Sequence, residues 1–200
     1  MPITISFTFL LRKLIHLGSG LCLVCFARDT GWYSLLFGLL VSFTFILDLM
    51  RNFNLTWNRI FLRLFGGMLK ESERNGKLLG ATTLWLGLYL AYIIFPLPTF
   101  KIAASVAVLA DATAAIGGRL IPRHPLREAK TLFGSLLFAG SCILLFNQYW
   151  NIPLLPTLLM SIILTIVELY SIEIIENINI IIGNSLLVYY YFFFQVGIKN

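Results

Sequence analysis

The chain has 200 residues, 58% hydrophobic and 12% charged, with a mean hydropathy of +0.87 and a net charge of +6. That little charge cannot coat a soluble globule of this length, so a water-soluble enzyme and a nucleic-acid binder are both excluded, and the positive balance is read as a membrane-topology signal. Three cysteines in apolar settings are too few for a disulfide framework.

Apolar runs long enough to span a bilayer recur along the whole chain. They are expected at 14–27, 31–50, 78–95, 99–118, 132–150, 152–172 and 178–196. The fold class is therefore all-α: one polytopic transmembrane helical bundle of about seven spans, with residues 1–200 forming a single domain. The first run is short and is expected to borrow length from the apolar residues before Arg12. Within it, Cys22-Leu-Val-Cys25 has redox or zinc spacing but no second pair or nearby histidine, and reads as helix packing.

Twelve of the fifteen basic residues fall in three groups, namely Arg12-Lys13, the six from Arg51 to Lys77, and the four from Arg119 to Lys130. Alternating spans place all three groups on one side, which the positive-inside tendency makes the cytoplasm. In a prokaryote that orientation belongs to the cell membrane. The 51–77 segment is expected to contain an interfacial amphipathic helix, with Arg59, Arg63, Lys70 and Arg74 on one face and Trp57, Phe61, Leu64 and Met68 on the other.

Ionisable residues inside spans are costly and mark function by default. Asp111 lies roughly 10 Å from the end of the fourth span at 1.5 Å per residue. It shares a helix face with Ala103, Ala104, Ala107, Ala114, Ala115 and Gly118, small residues that permit close packing, so it is expected to point inward. After it come Gly117-Gly118-Arg119, a basic loop with Arg123 and Arg127, and Lys130-Thr-Leu-Phe-Gly134-Ser135. A second acidic group, Glu168, Glu173 and Glu176, precedes Asn177 near the same expected side. Carboxylate and amide oxygens are the hard ligands that Mg²⁺ prefers beside nucleotide phosphates. Arg12 and His16, at i and i+4, are expected to face one cleft. Together these parts point to phosphoryl or nucleotidyl transfer on a lipid, without a P-loop, since no Gly-x4-Gly-Lys-Ser/Thr occurs.

The same residues resemble the CTP-dependent lipid kinases (dolichol and polyprenol kinase, phytol kinase and yeast-type diacylglycerol kinase), a group related to the phosphatidate cytidylyltransferases. The likeness lies in Arg12-Lys13-Leu-Ile-His16, in Lys70-Glu71-Ser72-Glu73 followed by Gly80-Ala81-Thr82, in Asp111-Ala-Thr-Ala-Ala through Gly118-Arg119, in Lys130-Thr131-x-x-Gly134-Ser135, and in Glu168 with Glu176-Asn177. Phe133 stands where the family has an acid, and Glu176 where it has an aspartate. The resemblance implies transfer of the γ-phosphate of CTP to the hydroxyl of a membrane lipid alcohol such as a polyprenol, phytol or diacylglycerol. It implies Mg²⁺ on Asp111 with Glu168 or Glu176, and phosphate contacts from Arg12, Lys13, Arg119 and Lys130. Gly118, Thr131, Gly134, Ser135 and Asn177 would shape the nucleotide site, and a carboxylate or His16 would position or deprotonate the alcohol. Cytidylyl transfer to phosphatidate is the alternative of the same chemistry, and an ion-coupled transporter using Asp111 and Glu168 is the alternative of another class.

Overall fold

A computed structural model describes residues 6–121, 124–127, 130–171 and 175–198; Arg123 and Glu173 lie outside them. In chain order the elements are α1 (Phe7–Phe26), α2 (Gly31–Phe53), α3 (Leu55–Phe65), α4 (Glu71–Arg74), α5 (Gly80–Ile94), α6 (Leu97–Leu120), β1 (Pro125–Arg127), β2 (Lys130–Thr131), α7 (Leu132–Leu144), α8 (Leu154–Tyr170) and α9 (Glu176–Ile198). The fold is all-α apart from β1 and β2, a short antiparallel pair inside the expected basic loop. Helices dominate because an apolar segment in lipid must satisfy its backbone polar groups within itself.

Among the described residues five helices are long and apolar enough to cross a membrane, as expected of an integral membrane protein: α1, α2, α6, α9, and α7 together with the π-helical turn Leu145–Tyr149 that extends it. At 15 and 17 residues, α5 and α8 are apolar but shorter. They measure roughly 22 and 26 Å at 1.5 Å per residue, against a hydrocarbon core of about 30 Å.

The bundle is organised around α6, which packs on α7, α9, α1 and α5. Of its apolar window 61% is buried, against 17% for α1 and for α2. Small side chains make this possible, because Ala103, Ala104, Ala107, Ala110 and Ala114 are buried along its length. The approach is closest at α7, where a Cβ on Gly117 would overlap Leu137 and one on Gly134 would lie 3.0 Å from the Ala114 carbonyl oxygen. These glycines set how near the acidic face of α6 comes to the start of α7.

The first helix starts at Phe7, capped by the Ser6 hydroxyl, which accepts from the Phe9 amide, so it takes in apolar residues before Arg12 as expected and carries Arg12, Lys13 and His16 within it. Two expectations are corrected. The 51–77 segment is not one amphipathic helix. Asn54 ends α2 and caps α3, and the Gly66-Gly67 pair then breaks α3 into a 3-10 turn (Gly66–Met68) before the single turn of α4. Arg59 and Arg63 remain exposed on α3, but Lys70 and Arg74 sit on a separate strap, where Arg74 donates to the Gly66 carbonyl. Cys22 and Cys25 are exposed on α1 rather than packed between helices.

Candidate functional site

The N-terminal half of α1, the ends of α6 and α8, the starts of α5, α7 and α9, and the strap 66–79 meet at one end of the bundle. Two adjoining cavities of about 80 and 360 Å³ lie between them. Phe9, Lys13, Lys70, Asp111, Arg119 and Glu176 line both. Arg12, His16 and Asn177 line the smaller one; Gly118, Lys130, Thr131, Gly134, Ser135 and Glu168 line the larger. The residues given a role by the resemblance all border this one space, although they are spread over more than 160 positions of the chain; Arg127 is not among the lining residues, and Arg123 and Glu173 lie outside the described residues.

Asp111 is the junction. Its Oδ2 accepts from the Lys13 ammonium at 2.8 Å and lies 4.0 Å from His16 Nε2. The i, i+3 spacing on α1 is what brings lysine and histidine to the same carboxylate. His16 is buried, and Nε2 has no hydrogen-bond partner among the described residues.

In the larger cavity Lys130, at the end of the hairpin, donates to both Glu168 Oε1 on α8 and Glu176 Oε1 on α9. Ser135 donates to the other oxygen of Glu168 at 3.4 Å. Burial works against the charge on Lys130, but Glu176 and then Glu168 outweigh it and raise its pKa above the ordinary lysine value of 10.5. Thr131 caps α7, its hydroxyl accepting from the Gly134 amide at 3.1 Å, so a helix N-terminus opens onto the cavity. At the rim the Arg119 guanidinium lies 3.5 Å from the centre of the Phe9 ring.

The carboxylates are divided differently from the expected Mg²⁺ set. Among the described residues no three acids, histidines or cysteines form a group able to hold a metal. Glu168 and Glu176 share one cation, whereas Asp111 is paired with Lys13. Phe133 packs toward Gly117, its ring 3.5 Å from where a Cβ there would lie. The departure at that position leaves these three carboxylates in place.

Sequence reasoning missed the scaffold of the strap. Glu73 is buried: Oε1 accepts from Arg12 at 2.6 Å and from the Gly80 amide at 2.8 Å, and Oε2 from the Lys70 amide at 2.7 Å. Arg51, counted above as a loop cation, is also buried. It pairs with Asp48 at 2.9 Å and donates to the Glu73 and Lys77 carbonyls, while Asp48 accepts from the Leu79 amide. Asp48 in an apolar run, three residues before an arginine, was the available signal. Asn177 ties α9 to α5 through the Gly80 carbonyl and the Thr83 hydroxyl.

Compared with known proteins, the chain is 28% identical over 156 residues to an uncharacterized protein of Rickettsia prowazekii (strain Madrid E). The match covers 74% of this chain and 76% of that protein. No family model and no solved structure matches it. A functional reading therefore rests on the site.

Proposed function

We propose that this protein is a CTP-dependent kinase that phosphorylates the hydroxyl of a membrane lipid alcohol, from a seven-span bundle whose site faces the cytoplasm. One observation carries the reading: residues chosen from five separate stretches for phosphate, metal and proton chemistry all line one pair of adjoining cavities. The cavities are lined by four acids (Glu73, Asp111, Glu168, Glu176), four lysines and two arginines, an excess of cations that suits phosphoryl transfer, since most of its catalysis is positioning and charge neutralisation.

The larger cavity suits the triphosphate. Lys130, Arg119, Lys13 and the N-terminus of α7 supply cationic and amide donors. Its fit to a divalent cation is tested by the Lys130 ammonium, a stand-in cation that two carboxylates already hold. Glu168 and Glu176, facing Asp111 across the cavity, would hold Mg²⁺, which typically takes one or two carboxylates and completes its shell with phosphate oxygens and water. Bound there, Mg²⁺ would neutralise charge on the phosphates.

The smaller cavity suits the alcohol. Its hydroxyl oxygen attacks the γ-phosphorus, the bond from that phosphorus to the β–γ bridging oxygen breaks, CDP departs, and the hydroxyl proton passes to the Asp111–His16 pair. Arg12, held by Glu73, stands at the same mouth. The decisive experiment supplies purified protein with Mg²⁺, polyprenol, phytol and diacylglycerol, and CTP labelled separately at the γ-phosphate and in the cytosine. Label entering lipid from the γ-position alone is expected. Cytosine label entering phosphatidate in a parallel reaction would replace the kinase with a cytidylyltransferase, and nucleotide-independent ion flux in proteoliposomes would replace both with a transporter.

A further inference from the structure

We infer that Lys130 is a built-in counter-cation occupying the position a divalent metal must take, so that metal and nucleotide bind synergistically through exchange of this side chain. The inference rests on the metal–nucleotide reading above and concerns how that site loads. Glu168 is 4% exposed, and Glu176 lies close enough for the same ammonium to bond both. Two partly buried carboxylates brought this near repel one another and cannot both stay ionised without a cation. Lys130 supplies it in the resting protein.

A metal bridging Glu168 and Glu176 from the cavity side would take the two oxygens that Lys130 now holds, so there ammonium and metal exclude each other. An evicted ammonium needs a new anion. The carboxylate across the cavity offers little, because Asp111 is already bonded to Lys13. Ser135, Thr131 and Ser171 offer only hydroxyls, of which Thr131 already accepts from the Gly134 amide and Ser171 donates to the Val167 carbonyl, and the other charged side chains of the larger cavity, Lys13, Lys70 and Arg119, are cationic. Metal alone must therefore displace a paired charge into a wall that does not want it. A polyphosphate changes the balance, because it brings its own anionic oxygens into that same wall. The four-carbon lysine stem allows the ammonium to swing while β2 and the α7 cap stay fixed. By linkage the effect is reciprocal: nucleotide tightens metal, and metal tightens nucleotide.

The test measures Mn²⁺ binding to the full-length protein in detergent, without nucleotide, by the loss of the free-ion paramagnetic resonance signal, for wild type, Lys130→Met and Lys130→Arg. A second measurement follows retention of labelled CTP with Mn²⁺ or with chelator. Wild type and Lys130→Arg are expected to bind Mn²⁺ weakly alone. Lys130→Met should bind it at least about tenfold more tightly, within the usual range of such couplings. Retention of CTP by wild type should rise at least as much when Mn²⁺ is added, and in Lys130→Met the rise should shrink to about threefold or less. Equal Mn²⁺ affinity in wild type and Lys130→Met overturns the exchange, as does loss of Mn²⁺ binding in a Lys130→Met protein that elutes as wild type on gel filtration. Should Lys130→Met fail to fold, Lys130→Gln is measured against the same expectations. Tighter Mn²⁺ in Lys130→Met with no CTP retained by any form upholds the competition but removes the nucleotide reading. No Mn²⁺ and no CTP bound by any form overturns both.

Discussion

Asp111 and Glu73 have opposite tasks despite their shared chemistry. Asp111 faces the cavities with one oxygen on Lys13 and a neighbouring histidine, so Asp111→Asn is expected to abolish lipid phosphorylation while leaving membrane insertion intact. Retained turnover would remove it from the mechanism. Glu73 instead holds Arg12 and closes the strap. In Glu73→Gln the single amide oxygen can accept from only one of the Gly80 and Lys70 amides and the NH2 faces the other donor, so the strap should loosen as Arg12 loses its charged partner. The KM for nucleotide should then rise about tenfold with a smaller fall in kcat, the pattern of lost ground-state binding. Lys130 gives a pH expectation. Its pKa is raised in the folded state, so the stability it contributes is complete below the unfolded value near 10.5 and is lost only as pH rises through the higher folded value. Melting temperature should accordingly show no step from this lysine between pH 7 and 10.

Among the elements, the strap is the one whose role the sequence hides. It has a single helical turn of its own, so its shape is imposed by Asp48 and Arg51 at the end of α2. Removing one partner of a buried pair leaves an uncompensated charge. Arg51→Met is therefore expected to destabilise the protein by about 3–5 kcal/mol. The double change Asp48→Leu with Arg51→Met should recover part of that loss, yet hydrogen exchange across 66–79 should stay fast, because the backbone bonds to the strap are gone. If exchange there remains slow, the strap is held by something else. At the α6–α7 contact, Gly134→Ala places a methyl 3.0 Å from a carbonyl oxygen. It should cost about 1–3 kcal/mol by overpacking, and it should weaken the site more than the same change at Gly140, which has open space around it.

For the whole molecule, the proposed seven-span arrangement needs α5 and α8 to cross the membrane along with the five described helices that are long enough to do so. Cysteines placed singly at Asn75 and at Pro96, both exposed, in a background lacking the native thiols, flank α5 and should label from opposite sides of the membrane. A pair at Asn151 and Ser171 makes the same test for α8. Labelling of either pair from one side would make that helix re-entrant and would lower the number of spans.

Composition and hydropathy suffice to specify a membrane-embedded all-α chain, because lipid leaves an apolar segment no other way to satisfy its backbone, and each expected apolar run is a helix in the structure. The candidate side chains were equally legible, since a charge within an apolar run stands out in one dimension. Their pairing was not. Which lysine meets which carboxylate depends on how close the glycines of α6 and α7 let two helices come, and on how the Gly66-Gly67 break folds the strap back onto α2. Those are contacts between residues tens of positions apart, invisible to local periodicity. They decide that Glu168 and Glu176 share Lys130 while Asp111 takes Lys13.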